Sequence, residues 1–227
     1  MKTRPPLPSS GFTLIELLTV IAIIAILMGL LFPAIGAVKE NARKAQAKSD
    51  VTQIVAAVKA YYTEYGKFPP MSTGTASTSG QDEFVGDDKA KASSSNATLF
   101  NTLRSVPEAP NDEYKANPRK IVFFEGKTVS NPDAPRAGFV DKSGADAQKK
   151  GSYFDPWGFQ YTVMVDSNYD NVLDMEQCYS DFAGDDRPRT AVGAFSIGKD
   201  GEIGNSEKFK GKYRDKQDVS DDLISWQ

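Results

Sequence analysis

The sequence predicts an α+β protein: a long N-terminal helix, with a membrane half and an amphipathic half, packed on a small antiparallel-sheet globular head. Three observations lead there. Residues 17–38 carry no charged side chain, enough for a helix of roughly 30 Å, the thickness of a bilayer's hydrocarbon core. Beyond them, Val51, Ile54, Val55, Val58, Tyr61, Tyr62 and Tyr65 recur at spacings of three and four, which is one face of an amphipathic helix. Further on, short runs rich in β-formers lie between polar turns and read as strands.

The chain opens with MKTRPPLPSSG, which holds Lys2 and Arg4 and no acid. Positive charge ahead of an apolar segment favours a cytoplasmic N-terminus. A secretory signal peptide has a shorter apolar region followed by a small-residue cleavage site. Here the small residue, Gly11, precedes the apolar run, so a cut at Gly11 would leave the helix in the mature protein. One acid, Glu16, stands at the start of the run. A carboxylate at the edge of a bilayer helix is costly unless paired or wet, so it is a functional candidate. The other reading is that Glu16 reaches the interface and stays hydrated. Pro33 cannot donate a backbone hydrogen bond and clashes with the carbonyl four residues earlier, that of Gly29. With Gly36 one turn later, residues 29–36 are expected to kink or melt locally.

Gly11-Phe12-Thr13-Leu14-Ile15-Glu16 resembles the processing site of type IV prepilins and of the pseudopilins of type II secretion systems. The resemblance implies cleavage after Gly11 by a membrane prepilin peptidase and N-methylation of Phe12. It places the family's acidic fifth mature residue on Glu16 and its helix proline on Pro33. It implies that Glu16 of one subunit meets the N-terminal amine of a neighbour inside a filament. Such a buried pair sets register more surely than it adds stability, because both charges must be desolvated. The kink at Pro33 is either an ordinary proline kink or a device that lets subunits pack and stretch.

Composition bounds the rest. The chain has 227 residues, a net charge of −3, one cysteine and no histidine. Mean hydropathy is −0.42, so outside residues 17–38 the chain is polar and has no room for several membrane spans. The absence of histidine removes Ser-His-Asp triads, HExxH metalloproteases and histidine zinc sites. No nucleotide-binding motif is present, and no broad basic surface points to nucleic acid. Cys178 has no partner for an intramolecular disulfide and is expected to be a buried or partly buried thiol. The organisation expected is a removed leader (1–11), a membrane or filament-core helix (12–38), an amphipathic half (39–66) and an extracytoplasmic head (67–227) with a loop-rich insertion at about 71–151.

Along the chain, the helix ends at Gly66 with Pro69 and Pro70 beyond it, a stop signal. A continuous helix from 12 to 65 would be roughly 80 Å long. Residues 71–80 read as a flexible Ser/Thr/Gly loop. Residues 96–104 read as a short helix capped by Asn96, with Leu99, Phe100 and Leu103 on one face. Residues 120–125 read as a strand. Asp155-Pro156-Trp157-Gly158 is a turn leading into a strand at 160–165 with Tyr161, Val163 and Val165 on one face. Trp157 is read as a structural anchor. Residues 190–196 form another strand.

Asp166, Asn168, Asp170 and Asp174 place oxygen side chains at positions 1, 3, 5 and 9 of what resembles the first part of a calcium loop. Asn171 takes the place of the glycine that permits positive φ. The terminal bidentate glutamate is missing, and a polar hairpin turn is the competing reading. The DPWG turn and Tyr65-Gly66-Lys67-Phe68-Pro69 also resemble major pseudopilins. In that family a glycine-rich turn and an acidic tail close around one calcium ion. Here Ser196-Ile197-Gly198-Lys199-Asp200-Gly201 and Asp221-Asp222 with Trp226 match the two parts. The resemblance implies a Ca²⁺ ion on Asp200, Asp221, Asp222 and the backbone carbonyl of Ile197, with Asp215 and Asp218 as alternatives in the long intervening loop.

The function these readings imply is structural, not enzymatic. The protein is expected to be a pseudopilin, anchored once in the inner membrane with its N-terminus inside and its head in the periplasm. It would polymerise into a pseudopilus that drives type II protein secretion. The expected partners are other copies of itself, minor pseudopilins, the prepilin peptidase and the inner-membrane assembly platform. The alternatives are a type IV pilus subunit for adhesion, motility or DNA uptake, and a membrane-anchored extracytoplasmic binding domain.

Overall fold

The computed structural model describes residues 13–72, 82–90, 92, 94–142, 144, 146–175, 178–179, 188–204, 213–215 and 218–226. Within them it describes only the backbone at Leu30, Pro33, Ala34, Asp88, Arg214, Asp215, Asp218 and Val219. The chain divides into two units, Met1–Ala42 and Arg43–Gln227.

One helix, α1 (Leu14–Tyr65), runs through both. Helical structure continues across residues 29–36, so the expected local melting around Pro33 does not occur. The missing proline donor costs one hydrogen bond, and the turns on either side hold the helix together. At its far end the Gly66 amide donates to the Tyr62 carbonyl at 2.8 Å. Gly66 has φ of +67°, the left-handed stop that glycine adopts without a Cβ clash.

In the second unit, α1 buries Ala47, Val51, Ile54, Ala57, Val58 and Tyr61. Val55 and Tyr65 pack against this core from its margin. Tyr62, expected on the same face, is 38 % exposed; it turns outward and its ring lies 4.7 Å from that of Phe68. Two polar groups tie the helix to the head. Asp50, itself buried, accepts from the Tyr161 hydroxyl at 2.8 Å. Tyr61 donates from its hydroxyl to the Ala116 carbonyl at 2.6 Å.

The strands are β1 (Glu83–Val85), β2 (Gly138–Phe139), β3 (Tyr153–Phe154), β4 (Thr162–Val165), β5 (Val192–Ser196), β6 (Arg214–Asp215), β7 (Asp218–Val219) and β8 (Leu223–Ile224). The main sheet has the order β1-β4-β5-β8 and every pairing in it is antiparallel. β2 with β3 and β6 with β7 make two-stranded ribbons. Strand side chains alternate faces, and here both faces are covered. Val85, Val163, Val165, Val192 and Ala194 join the α1 face and α2 (Ala97–Leu103) in one core. Phe84, Met164, Phe195 and Ile224 turn to the other side and meet Leu173, Met175, Cys178, Tyr179 and Tyr213 in a second core. This explains why β4 is buried at every position. Cys178 is buried, as expected, and its thiol donates to the Ala90 carbonyl at 3.6 Å.

The loop-rich 71–151 region supplies β1, α2 and the core residues Leu99, Phe100, Leu103, Phe124 and Phe139. Two expectations need correction. Residues 120–125 form no strand, because the Phe123 and Phe124 amides both donate to the Leu103 carbonyl at the end of α2. Asn96 makes no side-chain cap for α2. Its amide donates to the Tyr153 and Tyr161 carbonyls, each at 2.9 Å, so it clamps β3 to the start of β4.

The DPWG turn behaves as predicted. Asp155 Oδ1 accepts from the backbone amides of Trp157, Gly158 and Phe159 at 2.9, 2.7 and 2.9 Å. Its other oxygen accepts from the Ser196 hydroxyl at 2.6 Å. Burial pushes this carboxyl up to about 6 against those donors. Trp157 is 8 % exposed and sits in the first core, an anchor rather than a ligand platform.

Candidate functional site

The expected processing residues, Gly11 and Phe12, lie outside the described residues. The Thr13 amide and hydroxyl donate to Glu16 Oε2 at 2.8 and 2.7 Å, and the Glu16 amide donates to Thr13 Oγ1 at 3.3 Å. This reciprocal pair is a capping box, T-x-x-E, which satisfies amides that a helix start leaves unpaired. The spacing was visible in the sequence. Glu16 therefore starts α1 in its own chain. Around and beyond it the large apolar side chains of the described residues stand exposed, from Leu14 through Ile21, Ile26 and Phe32 to Val38. Among the described residues no helix is long and apolar enough to cross a membrane. In the sequence Leu30, Pro33 and Ala34 complete the uncharged stretch 17–38.

The C-terminal acids divide between two settings. Residues 198–201 form a turn after β5, with Gly198 and Gly201 at φ of +69° and +70°. Asp221 reaches into it: its Oδ2 accepts from the Lys199 and Asp200 amides at 2.7 and 3.3 Å. A Cβ at Gly198 would lie 2.6 Å from that oxygen, so the glycine makes room for the carboxylate. Asp200 Oδ1 accepts from the Glu202 amide at 3.0 Å. Burial, then the charges of Asp221 and Glu202, pushes the Asp200 carboxyl up.

Asp222 points the other way, into the second core. Its Oδ2 accepts from the Tyr179 hydroxyl and the Gly204 amide, both at 2.8 Å. Its Oδ1 is buried with no partner among the described residues. Burial, aided by Asp221 and Asp200, pushes this carboxyl up to about 7. The tail and the glycine turn thus meet, as the resemblance implied, with Ile197 fully buried beneath them. The donor atoms are all hard oxygens. However, among the described residues no three acidic or cysteine side chains are placed to hold a metal ion. The side chains of Asp215 and Asp218 lie outside the description.

The 166–174 loop has its own order. Asp166 Oδ1 and Oδ2 accept from the Asp170 and Asn171 amides at 3.2 and 2.8 Å. Asn168 Oδ1 accepts from the Asp170 amide at 2.9 Å, and Asp170 Oδ1 from the Val172 amide at 2.8 Å. Asn171 has φ of +65°, the conformation expected of the glycine position. Sequence reasoning missed a further residue here. Asp82, just before β1, accepts at Oδ2 from the Asp174 amide at 2.7 Å. Burial and then the charges of Asp166 and Asp170 oppose the ionised form, while the Asp174 and Ser167 amides favour it; the Asp82 carboxyl is pushed up to about 6. No local signal marks Asp82, because its partner is 92 residues away.

A family model, the prokaryotic N-terminal methylation motif, matches residues 8–32. That motif is the prepilin-type signal, and it implies processing by a prepilin peptidase, a membrane-anchored N-terminus and filament assembly in general. No curated protein and no solved structure matches the chain.

Proposed function

We propose that this chain is a pseudopilin, a non-enzymatic subunit that polymerises through α1 into the periplasmic pseudopilus of a type II secretion system. The observation that carries the reading is a prepilin signal at 8–32 leading into exposed apolar helix surface. Such a surface is soluble only inside a bilayer or against other helices, and both are available to a membrane-anchored subunit that later enters a filament. A single cysteine, which leaves no pair for a disulfide-bounded tail loop, and the junction of the glycine turn with the acidic tail favour the secretion branch over a pilus subunit. Its partners would be further copies, minor pseudopilins and the assembly platform.

The experiment is deletion of the gene, followed by comparison of released proteins and imaging of the cell surface. Lost secretion with unchanged surface filaments supports the pseudopilin. Lost filaments with normal secretion would make the chain a pilus subunit.

Within this reading the tail junction takes one Ca²⁺. Asp200, Asp221 and Asp222 would hold it with a backbone carbonyl of the glycine turn. A hard divalent cation removes the repulsion among the acids; Asp222, whose second oxygen is unpartnered among the described residues, would have to turn from the Tyr179 side to join Asp200 and Asp221. Purified full-length protein in detergent should melt at higher temperature with calcium than with chelator. Equal melting temperatures would remove the site.

A further inference from the structure

We propose that the 166–174 loop is a second calcium site, completed across the sheet by Asp82 in place of the glutamate that the loop lacks. The argument starts from strand register. β1 and β4 pair antiparallel with Glu83 opposite Val165, so Asp82 and Asp166, the next residues out, end the two strands side by side. Both are nine-tenths buried or more, at 7 % and 2 % exposure. Asp82 uses one oxygen on the Asp174 amide. The other is buried without a hydrogen bond of full geometry among the described residues; the Ser167 amide favours the ionised carboxylate, while the charges of Asp166 and Asp170 oppose it. A carboxylate left so, facing two others, fits a cation.

The loop supplies the remaining ligands by chemistry and spacing: Asp166, Asn168, Asp170, the Val172 carbonyl and Asp174. They are oxygen donors on a short loop, the set that suits calcium rather than a transition metal. The described carboxylates do not yet close on one point, so binding requires side chains to turn inward. A cleft of about 430 Å³, lined in part by Glu83, Val165, Ser167 and Tyr169, opens beside the loop and offers the ion a way in. The inference is independent of the filament reading and of the tail junction.

The test uses the full chain in detergent, stripped of metal and titrated with ⁴⁵Ca²⁺ in equilibrium dialysis. Asp82→Asn and Asp170→Asn should each lose the same one bound calcium per chain, with no further loss in the double variant. Asp222→Asn should leave that calcium in place. Unchanged binding in Asp82→Asn overturns the proposal. A melt in chelator separates binding from folding. Asp82→Asn should melt no lower than wild type without metal, since it removes a buried charge. If it melts lower there and binding falls only in proportion to the folded fraction, Asp82 is structural and the proposal fails.

Discussion

At the scale of single residues, Glu16 caps its own helix, and the proposed filament role is one that substitutions can separate from it. The capping box needs an oxygen acceptor, which glutamine also offers. An interchain pair with a neighbour's amine needs the negative charge. Glu16→Gln should therefore preserve helix initiation yet reduce filament yield as Glu16→Ala does. Circular dichroism of a peptide covering residues 12–38 in detergent checks the first part, with a small helicity loss in the alanine variant only. Filament counts check the second; normal filaments from Glu16→Gln would leave capping as the sole role. The T-x-x-E spacing was legible in the sequence, yet the eye goes to the processing signature that contains the same two residues. Asn96 shows the opposite failure. Its type and position suit a helix cap, but Tyr153 and Tyr161, far along the chain, compete for the same side chain.

At the scale of elements, α1 was legible because a period of three and four over several turns is hard to produce by chance. Its buried positions also predict energetics. Ile54 is fully buried in the first core, so Ile54→Ala should cost about 2–5 kcal/mol. Thermal unfolding followed through the tyrosines should show a clear drop. Thr52→Ala, on the outer face, should shift the transition little. The short strands were less legible. β1 is only 3 residues long, and what makes it a strand is the edge of β4, not its own pattern. Residues 120–125 fail the other way: they have strand-like composition, but the Phe123 and Phe124 amides pair with the Leu103 carbonyl at the end of α2 instead of with a strand. Of the candidate sites, the loop acids stood out by spacing and the tail acids only through the family resemblance. Asp82 did not stand out, because register alone brings it to Asp166.

At the scale of the whole molecule, several buried carboxyls give stability a definite pH dependence. Asp82 and Asp155 stand at about 6 and Asp222 at about 7, all above the value near 4 expected in an unfolded chain. The folded state thus holds more protons than the unfolded state between about pH 4 and pH 7, so stability falls as pH rises through that window. Calcium-free protein should lose on the order of a few kcal/mol between pH 5 and pH 8. Melts across this range in chelator measure it, and a flat or rising profile would contradict it. If the proposed sites take calcium, the ion should flatten the slope, because a bound cation takes over from the proton.

The place of β8 bears on how the protein comes to be made. β8 closes the edge of β5, and Lys48 Nζ donates to the Ile224 carbonyl at 2.6 Å across a separation of 176 residues. Synthesis proceeds from the other end, so the helix face around Ile54 leaves the ribosome long before its last partners exist. Folding of the head is therefore a post-translational event with a large share of distant pairings, slow by nature. Until the tail arrives, the apolar strip is bare, and a chaperone that shields it in transit would decide how much protein reaches its destination.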